Sequence, residues 1–333
     1  MMKKLLISLI VLLLTLVACS NDESASTEES YELKFGMVAG TAQNEYKAAE
    51  VLANYVEEES GGRLIINIYA DSQLGDDRAM LEQVREEALD ITLAETGRFG
   101  IWVPRASLYG LPYIVDDMDH LRRAIYETDF GKELHEELKA DYNWMIAETA
   151  YNGTRQTTSN RPIESLQDME RLKLRVPEAD TLLDYAEYSG ASPTPMAFTE
   201  VYLALQTNSV DGQENPLSTI DAQKFYEVQD YLALTNHVVN DANYVVNNAK
   251  FESLPEDLQK ILEDGIQKAA EEHTKLFIEE EASLVDKFKS EGVTVTEPNL
   301  EEFREAVSKA YPKYLEDIEG DGEAYLQQIA DAR

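Results

Sequence analysis

Two arginines, Arg155 and Arg175, lie in polar or extended stretches outside the predicted helices, where their side chains could bind an anion. Arg155 belongs to AYNGTRQTTSNRP (residues 150–162), which contains no Asp or Glu, and Arg175 belongs to RLKLRVP (residues 171–177). An arginine stays charged, and its guanidinium matches a carboxylate or phosphate through two parallel hydrogen bonds. The two side chains therefore favour a site for a small anion. The structural alternative is that each pairs with one of the many acidic side chains.

Five other side chains are candidates for the same site: Asp77, Glu95, Arg98, Phe198 and Asn215. Each also has a structural interpretation. Asp77 suits the dipole at the start of a helix, Glu95 and Arg98 suit an ion pair with each other, and Phe198 suits the core. Several of these positions follow predicted strands, as the two arginines do. Ligands of open α/β sheets bind beyond the carboxyl ends of the strands, so we expect these side chains to surround one cleft.

Composition excludes several classes of function. The chain has 333 residues, with 64 acidic against 29 basic side chains and a formal net charge of −35, which makes nucleic acid an unsuitable partner. It contains no GxGxxG, Walker A, GxSxG or HExxH motif, and its four histidines are far apart in sequence. A single cysteine rules out an internal disulfide. We therefore expect a folded protein without a metal or cofactor, while paired acids for glycoside hydrolysis stay possible among the 64 acidic residues.

The first 18 residues have the pattern of a signal peptide. Lys3 and Lys4 precede an apolar run over residues 5–17, which is too short to span a bilayer, and LVAC places Cys19 at its end. This pattern is typical of a bacterial lipobox, with an ordinary small-residue cleavage site as the alternative. Residues 19–30 are polar and acidic, as in a flexible tether. The sequence thus predicts export and a lipid anchor at Cys19 on the outer face of the cell membrane, which is periplasmic where an outer membrane exists.

From residue 31 the periodicity predicts alternating strands and helices, typical of a parallel, doubly wound sheet. A second α/β unit begins near residue 152. The predicted strands cover residues 33–38, 64–69, 90–94, 172–176 and 210–216; the predicted helices cover residues 44–60, 76–89, 198–205 and 255–289. The last of these helices is long enough to brace two lobes.

Several stretches together resemble one known family. KFGMVAGTAQNEYKAAE, SQLGDDRAML, AYNGTRQTTSNR, LKLRVP and GASPTPMAFTEVYLALQTNSVDGQENP are similar to the solute-binding subunits of TRAP transporters, the DctP-type family, and to its sialic-acid-binding SiaP branch. The resemblance implies a non-enzymatic protein with a two-lobed periplasmic-binding-protein-like α/β fold, with hinge strands and a long helix bracing both lobes. Lobe I would comprise residues 31–152 and 241–280, and lobe II residues 153–240 and 281–333. The monomer would deliver sialic acid to a sodium-driven membrane permease.

The resemblance also assigns roles to individual residues. Arg175 would bind the substrate carboxylate through two bonds, Arg155 would be the second carboxylate arginine, and Asn215 would complete the clamp, with both arginines left free for the ligand. Phe198 would pack against the ligand. The remaining assignments are Asp77, Glu95 and Arg98 to the polar arms of the ligand, and Glu214 and His237 to a polar network behind Arg155.

Two positions depart from the branch. Val38 stands where Asn is usual, which removes a polar group from the cleft, and Glu178 stands where Asn is usual, which adds charge near the arginines. Within the same class, the sequence leaves open a binding protein for another sugar acid, such as a uronate or ulosonate. Two alternatives belong to other classes of protein. One is a sialic-acid-processing enzyme with Glu95 and Asp77 as an acid pair, and the other is a binding protein that serves a sensory receptor.

Overall fold

A computed structural model describes residues 29–318 and 320–333. The predicted signal peptide, Cys19 and most of the predicted tether lie outside these residues. Residues Tyr31–Arg333 form one compact unit.

Ten strands carry the fold. They are β1 (Tyr31–Gly36), β2 (Leu64–Tyr69), β3 (Ile91–Ala94), β4 (Trp144–Ser159), β5 (Lys173–Val176), β6 (Ser192–Pro195), β7 (Gly212–Pro216), β8 (Tyr231–Ala233), β9 (Val239–Asn247) and β10 (Thr294–Thr296). The strand order is β2-β1-β3-β9-β4-β7-β5-β6, with β8 joining β4 to β10.

Twelve α-helices are present in the described part of the chain. They are α1 (Asn44–Glu59), α2 (Asp77–Arg85), α3 (Met118–Tyr126), α4 (Asp129–Tyr142), α5 (Asp180–Tyr188), α6 (Val201–Gln206), α7 (Leu217–Ala222), α8 (Asn248–Ser253), α9 (Glu256–Ser290), α10 (Leu300–Val307), α11 (Tyr311–Glu316) and α12 (Gly322–Asp331). None of these helices combines the length and the apolar character that crossing a membrane requires.

The long strand β4 joins two halves of the sheet. Its first part pairs antiparallel with β9, and its last residues pair antiparallel with β7 and β8. Between these parts the pairing with β9 shifts register, from Tyr151 opposite Asp241 to Thr154 opposite Val239. Such a bulge lets a strand bend while it stays paired. β4 and β9 are therefore the hinge strands that the family resemblance implies.

Helix α9 supports both halves. Leu258, Leu262 and Ile266 of α9 are buried in a core cluster with α1 and strands β1–β3, whereas Leu284 and Phe288 near its end are buried in a cluster with α6 and α7. α9 therefore braces both halves of the sheet, and the predicted fold class, α/β with two lobes, is confirmed. A charged exposed face and apolar positions at helical spacing explain why this helix was predictable.

The parallel pairing predicted for the first three strands is confirmed, and β9, a strand that was not predicted, joins them in the opposite direction. β1, β2 and β3 are parallel, but β9 runs antiparallel to β3, because the chain returns from the second half to the first at this point. The lobe boundaries stay a prediction. Ile329 of α12 is buried beside Phe130 of α4, and the carbonyl oxygen of Ile329 lies 2.7 Å from Nε2 of His120 in α3, which favours moving α12 to lobe I.

Candidate ligand-binding site

A cavity of about 450 Å³ lies between the two halves of the sheet. All seven residues predicted to contact a ligand line it, and they come from both halves: Asp77, Glu95, Arg98, Arg155, Arg175, Phe198 and Asn215. This size suits a small ligand of the kind that binding clefts enclose. Glu214 and His237, predicted to lie behind Arg155, are fully buried beside it. The structure thus brings the candidates together, and their roles toward a ligand stay a prediction.

Arg175 is a buried cation at the cavity wall. Its side chain points from β5 into the cavity wall, the residue is 2% exposed, and Nε and Nη2 donate to the carbonyl oxygen of Met196 at 3.2 and 2.8 Å. No carboxylate in the described part of the chain forms an ion pair with it. Burial lowers the pKa of Arg175 to about 10, and the neighbouring cations Arg155 and Arg98 act in the same direction, although Glu214 opposes them. A bound anion would relieve this unfavourable charge.

Arg155 differs from the expectation that both arginines are free. Its Nη2 donates to Oε1 of Glu214 at 2.8 Å, its Nε also donates to that carboxylate, and its Nη1 donates to Oδ1 of Asn240 at 3.1 Å. The expectation that Arg155 has no acidic partner is wrong, because β4 and β7 pair antiparallel and bring Glu214 diagonally opposite Arg155. The two residues are 59 positions apart in the sequence. Arg155 still lines the cavity, as a cation whose position is fixed in advance.

Behind Arg155 a chain of hydrogen bonds leads into the core. Nε2 of His237 lies 2.9 Å from Oε2 of Glu214, and Nδ1 lies 2.9 Å from Oγ1 of Thr235. Burial lowers the pKa of His237, so the neutral ring donates from Nε2 to the carboxylate and accepts from the threonine hydroxyl. Tyr185 stacks on the imidazole with ring centres 3.9 Å apart. This packing holds Glu214, and through it Arg155, in one geometry.

The charge of Glu214 is stabilised by its partners. Burial alone would raise the pKa of this carboxyl, but Arg155 and His237 outweigh burial and lower it to about 2. A carboxyl whose pKa is lowered by folding stabilises the folded state above its unfolded pKa, near 4.5, and loses that contribution as the pH falls toward 2.

We expect the stability difference between wild type and Glu214→Gln to depend on pH in this window. Urea unfolding should show a gap that is constant above about pH 5 and closes by on the order of 3 kcal/mol between pH 4.5 and 2. The reason is that only the wild type carries the ionised carboxylate. A gap that stays the same down to pH 2.5 would contradict the ionised Glu214 inferred here.

Arg98 organises the opposite wall of the cavity. Its Nε donates to Oε2 of Glu95 at 2.7 Å, its Nη2 lies 3.2 Å from Oδ2 of Asp77, and its Nη1 donates to the carbonyl oxygen of Glu178 at 3.3 Å. Burial raises the pKa of Asp77, whereas Arg98 and Arg155 outweigh burial and lower the pKa of Glu95. Glu95 and Arg98 thus pair with each other, as their structural interpretation predicted, and both also line the cavity.

Phe198 and Asn215 each contact other side chains of the protein and also line the cavity. Phe198 is half-buried, lies 6.4 Å from the ring of Phe225 in an edge-on geometry, and lines the cavity. Oδ1 of Asn215 accepts from Nη2 of Arg155 at 3.3 Å, and its Nδ2 donates to Gln213 at 2.6 Å. Val38 also lines the cavity, so the departure from the branch at this position changes the cavity surface.

Sequence reasoning missed two parts of this site. Asn240 of β9, which accepts from Arg155, lies in a strand that was not predicted. Glu45, at the start of α1, is buried and lines the cavity, and burial raises its pKa to about 7. In the sequence Glu45 looks like any acidic residue in the first turn of a helix, whereas the polar positions of VNDANYVVN were a usable signal for a strand facing a polar site.

Comparison with known proteins agrees with this architecture. The family model described as bacterial extracellular solute-binding protein, family 7 (DctP), matches residues 35–317. The sialic acid-binding periplasmic protein SiaP of Vibrio cholerae is 48% identical over 320 residues, which cover 96% of this chain and 97% of that protein. The 2,3-diketo-L-gulonate-binding periplasmic protein YiaO of Escherichia coli is 30% identical over 273 residues, which cover 82% of this chain and 83% of that protein.

Solved structures show the same fold. A TRAP periplasmic solute-binding protein of Roseobacter denitrificans with bound 3-deoxy-D-manno-oct-2-ulosonic acid superimposes with a TM-score of 0.85 at 26% identity, covering 92% of this chain and all of that chain. A second, from Chromohalobacter salexigens with bound D-glucuronate, gives a TM-score of 0.85 at 28% identity, covering 90% of this chain and all of that chain. On these grounds the chain belongs to the DctP family of TRAP solute-binding proteins.

Proposed function

We propose that this protein binds sialic acid in its cleft and delivers it to the permease subunits of a TRAP transporter. The observation that carries the proposal is Arg175, a buried guanidinium at the cavity wall with no carboxylate partner in the described residues. The carboxylate of an exogenous acid would supply that partner. The relative that is 48% identical over nearly the whole chain is named for binding sialic acid, which selects this acid among the possible ones.

The rest of the cleft would recognise the sugar. The carboxylates of Glu95 and Asp77 can accept from ligand hydroxyl and amide donors, Arg98 keeps these carboxylates in place, and Phe198 offers an apolar surface. Arg155 and Asn215 would contact the ligand carboxylate from beside Arg175. Because acceptors and cations come from different halves of the sheet, a ligand that satisfies both would favour a closed cleft.

Another sugar acid is the second candidate. Val38 makes part of the cavity wall apolar where the sialic-acid-binding branch has Asn. Structures that share the fold carry uronic and ulosonic acids, and a relative at 30% identity is named for binding 2,3-diketo-L-gulonate. All of these ligands share the carboxylate that Arg175 would bind, so the choice among them depends on the opposite wall.

The cellular setting follows partly from the family and partly from the sequence. The family is extracellular, and named relatives are periplasmic. We propose in addition a monomer that is lipidated at Cys19 and reaches its permease from the membrane surface. The basis is the LVAC sequence after the apolar run of residues 5–17.

A calorimetric ligand panel tests the proposed function. Residues 31–333 should bind N-acetylneuraminic acid with one-to-one stoichiometry, and its methyl ester should give no measurable heat, because the ester removes the negative charge that pairs with Arg175. Glucuronate and 3-deoxy-D-manno-oct-2-ulosonic acid complete the panel. Binding of the methyl ester as tightly as the free acid would reject the carboxylate site, and tighter binding of one of the other acids would favour the second candidate.

A further inference from the structure

Helix α9 holds the bend of β4 just before Arg155. The register of β4 against β9 shifts between Tyr151 and Thr154, so Asn152 and Gly153 form the bulge. Gly153 has a φ of 89°, which favours glycine. A Cβ at this position would lie 2.5 Å from Cβ of Pro216 and 2.8 Å from Oε1 of Glu281. The bulge is therefore packed tightly between β7 and α9.

Three side chains of α9 bind this bulge through hydrogen bonds. Oγ1 of Thr274 accepts from the backbone N–H of Tyr151 at 3.0 Å, and Nε2 of His273 donates to Oδ1 of Asn152 at 3.0 Å. The direction of the second bond follows from Oδ1 of Asn152, which can only accept, so Nε2 carries the proton. Burial lowers the pKa of His273 to about 3 and keeps the ring neutral, so Nδ1 accepts from the hydroxyl of Tyr244. The first contact gives the backbone N–H of Tyr151 an acceptor on α9, and the second holds the side chain of Asn152 within the bulge.

Glu281 completes the set with two contacts of its own. Its Oε1 accepts from the backbone N–H of Thr154 at 3.1 Å, and its Oε2 accepts from the hydroxyl of Tyr151 at 2.7 Å. That hydroxyl lies 2.9 Å from Oγ1 of Thr154, which closes a ring of hydrogen bonds around the bulge. Pairing with β9 resumes at Thr154, opposite Val239, and the backbone N–H of the next residue, Arg155, donates to the carbonyl oxygen of Val238 at 2.9 Å.

We propose that Glu281 is a positioning residue for ligand binding, because it fixes the backbone that carries Arg155 and couples that backbone to α9. It does not line the cavity. The inference rests on the proposed function for its ligand readout, but the bend itself can be examined without ligand. A carboxylate suits this place because it accepts two hydrogen bonds from donors on different sides.

The test compares Glu281→Gln with Glu279→Gln, which makes the same charge change on an exposed position of α9. An amide keeps only one acceptor oxygen, so Glu281→Gln should raise the Kd for N-acetylneuraminic acid by about tenfold through faster dissociation. In the ligand-free protein it should also speed hydrogen exchange at the Thr154 amide. Tyr151→Phe, which removes one of the two donors, should change both quantities in the same direction by less, and Glu279→Gln should change neither.

The outcomes separate this inference from the proposed function. If the wild type does not bind N-acetylneuraminic acid, the proposed function fails, and exchange at the Thr154 amide still decides the role of Glu281 in holding the bend. If the wild type binds and Glu281→Gln matches Glu279→Gln in both affinity and exchange, the positioning role is overturned. A lower Tm for Glu281→Gln with unchanged affinity and dissociation rate would also overturn it, since that result describes stability alone.

Discussion

Arg175→Ala should lose sialic acid binding while the free protein stays folded. Truncating one member of a buried charge pair typically costs about 2–5 kcal/mol, which corresponds to a roughly 30- to 5,000-fold rise in Kd. Most interface and cleft residues cost far less. The large expected effect follows from the geometry, because Arg175 is 2% exposed and no carboxylate among the described residues forms an ion pair with it. The ligand carboxylate would supply that partner.

The stability of the ligand-free variant is the informative companion measurement. Burial disfavours the charge of Arg175, and no ion pair within the described part of the chain offsets this cost. Removing the guanidinium relieves this cost but also removes its hydrogen bonds to the carbonyl oxygen of Met196. Because the two effects oppose each other, the free energy of unfolding should change by less than about 1 kcal/mol. Lost binding with unchanged stability identifies a ligand-binding residue rather than a structural one.

Two further variants serve as controls for this prediction. Arg175→Lys keeps the charge but loses the planar fork, so its affinity should fall between those of wild type and Arg175→Ala. Arg161→Ala removes an exposed arginine at the end of the same segment as Arg155 and should bind as the wild type does. Isothermal titration at one salt concentration measures all four proteins. Retention of wild-type affinity in Arg175→Ala would contradict the proposed site.

Glu214→Leu should be among the most destabilising single substitutions at this site. The carboxylate is fully buried, binds Arg155 through both oxygens, and accepts from His237. Its removal leaves the guanidinium of Arg155 buried with only weaker partners. Breaking a buried pair in this way costs about 3–5 kcal/mol of unfolding free energy. Urea unfolding at pH 7 measures the difference.

A double variant distinguishes the loss of the Arg155–Glu214 ion pair from a change in side-chain packing. Arg155→Met combined with Glu214→Leu removes both charges, so the double variant should be more stable than Glu214→Leu alone, because the guanidinium that lost its carboxylate partner is removed as well. Glu200→Gln changes an exposed acidic residue and should lie within about 0.5 kcal/mol of wild type. If Glu214→Leu unfolds at the same urea concentration as Glu200→Gln, the pair does not contribute to stability as argued.

The parts of the fold that follow local rules were predictable from sequence. The spacing of apolar residues predicted residues 44–60 as a helix, and α1 spans Asn44–Glu59; the proline at 255 and the apolar stripe after it predicted α9 nearly to the residue. Strand β2 was predicted with its observed bounds. Each of these elements has one apolar face and a local start or stop signal.

The hinge strands were not predictable in the same way. β4 crosses from one half of the sheet to the other, so different parts of it face a core, the cleft and the bulge, and no single alternation runs through its 16 residues. β9 is buried along all nine residues and carries Asn and Asp where apolar residues are usual. These polar groups are satisfied by partners far away in sequence, such as Thr96 for Asp241.

The sequence predicted which residues line the site, but not how its charged side chains pair with each other. Family resemblance selected seven residues that all line one cavity. The expectation that both arginines are free of an acidic partner holds for Arg175 among the described residues and is wrong for Arg155, which pairs with Glu214. The difference depends on the register of β7 against β4, because this register places Glu214 near Arg155. The composition and residue spacing of this chain did not predict that register.

The return of β9 to the first half of the sheet also constrains how this chain folds after export. β3 lies between β1 and β9, and its pairing with β9 joins Ile91 to Val246. A chain emerging from its amino terminus therefore exposes one edge of β3 until about 155 residues more have appeared, and unpaired edges promote association between chains. Such distant pairing slows folding. The first half of the sheet is therefore complete only after β9 has appeared, when about three quarters of the polypeptide has been exported.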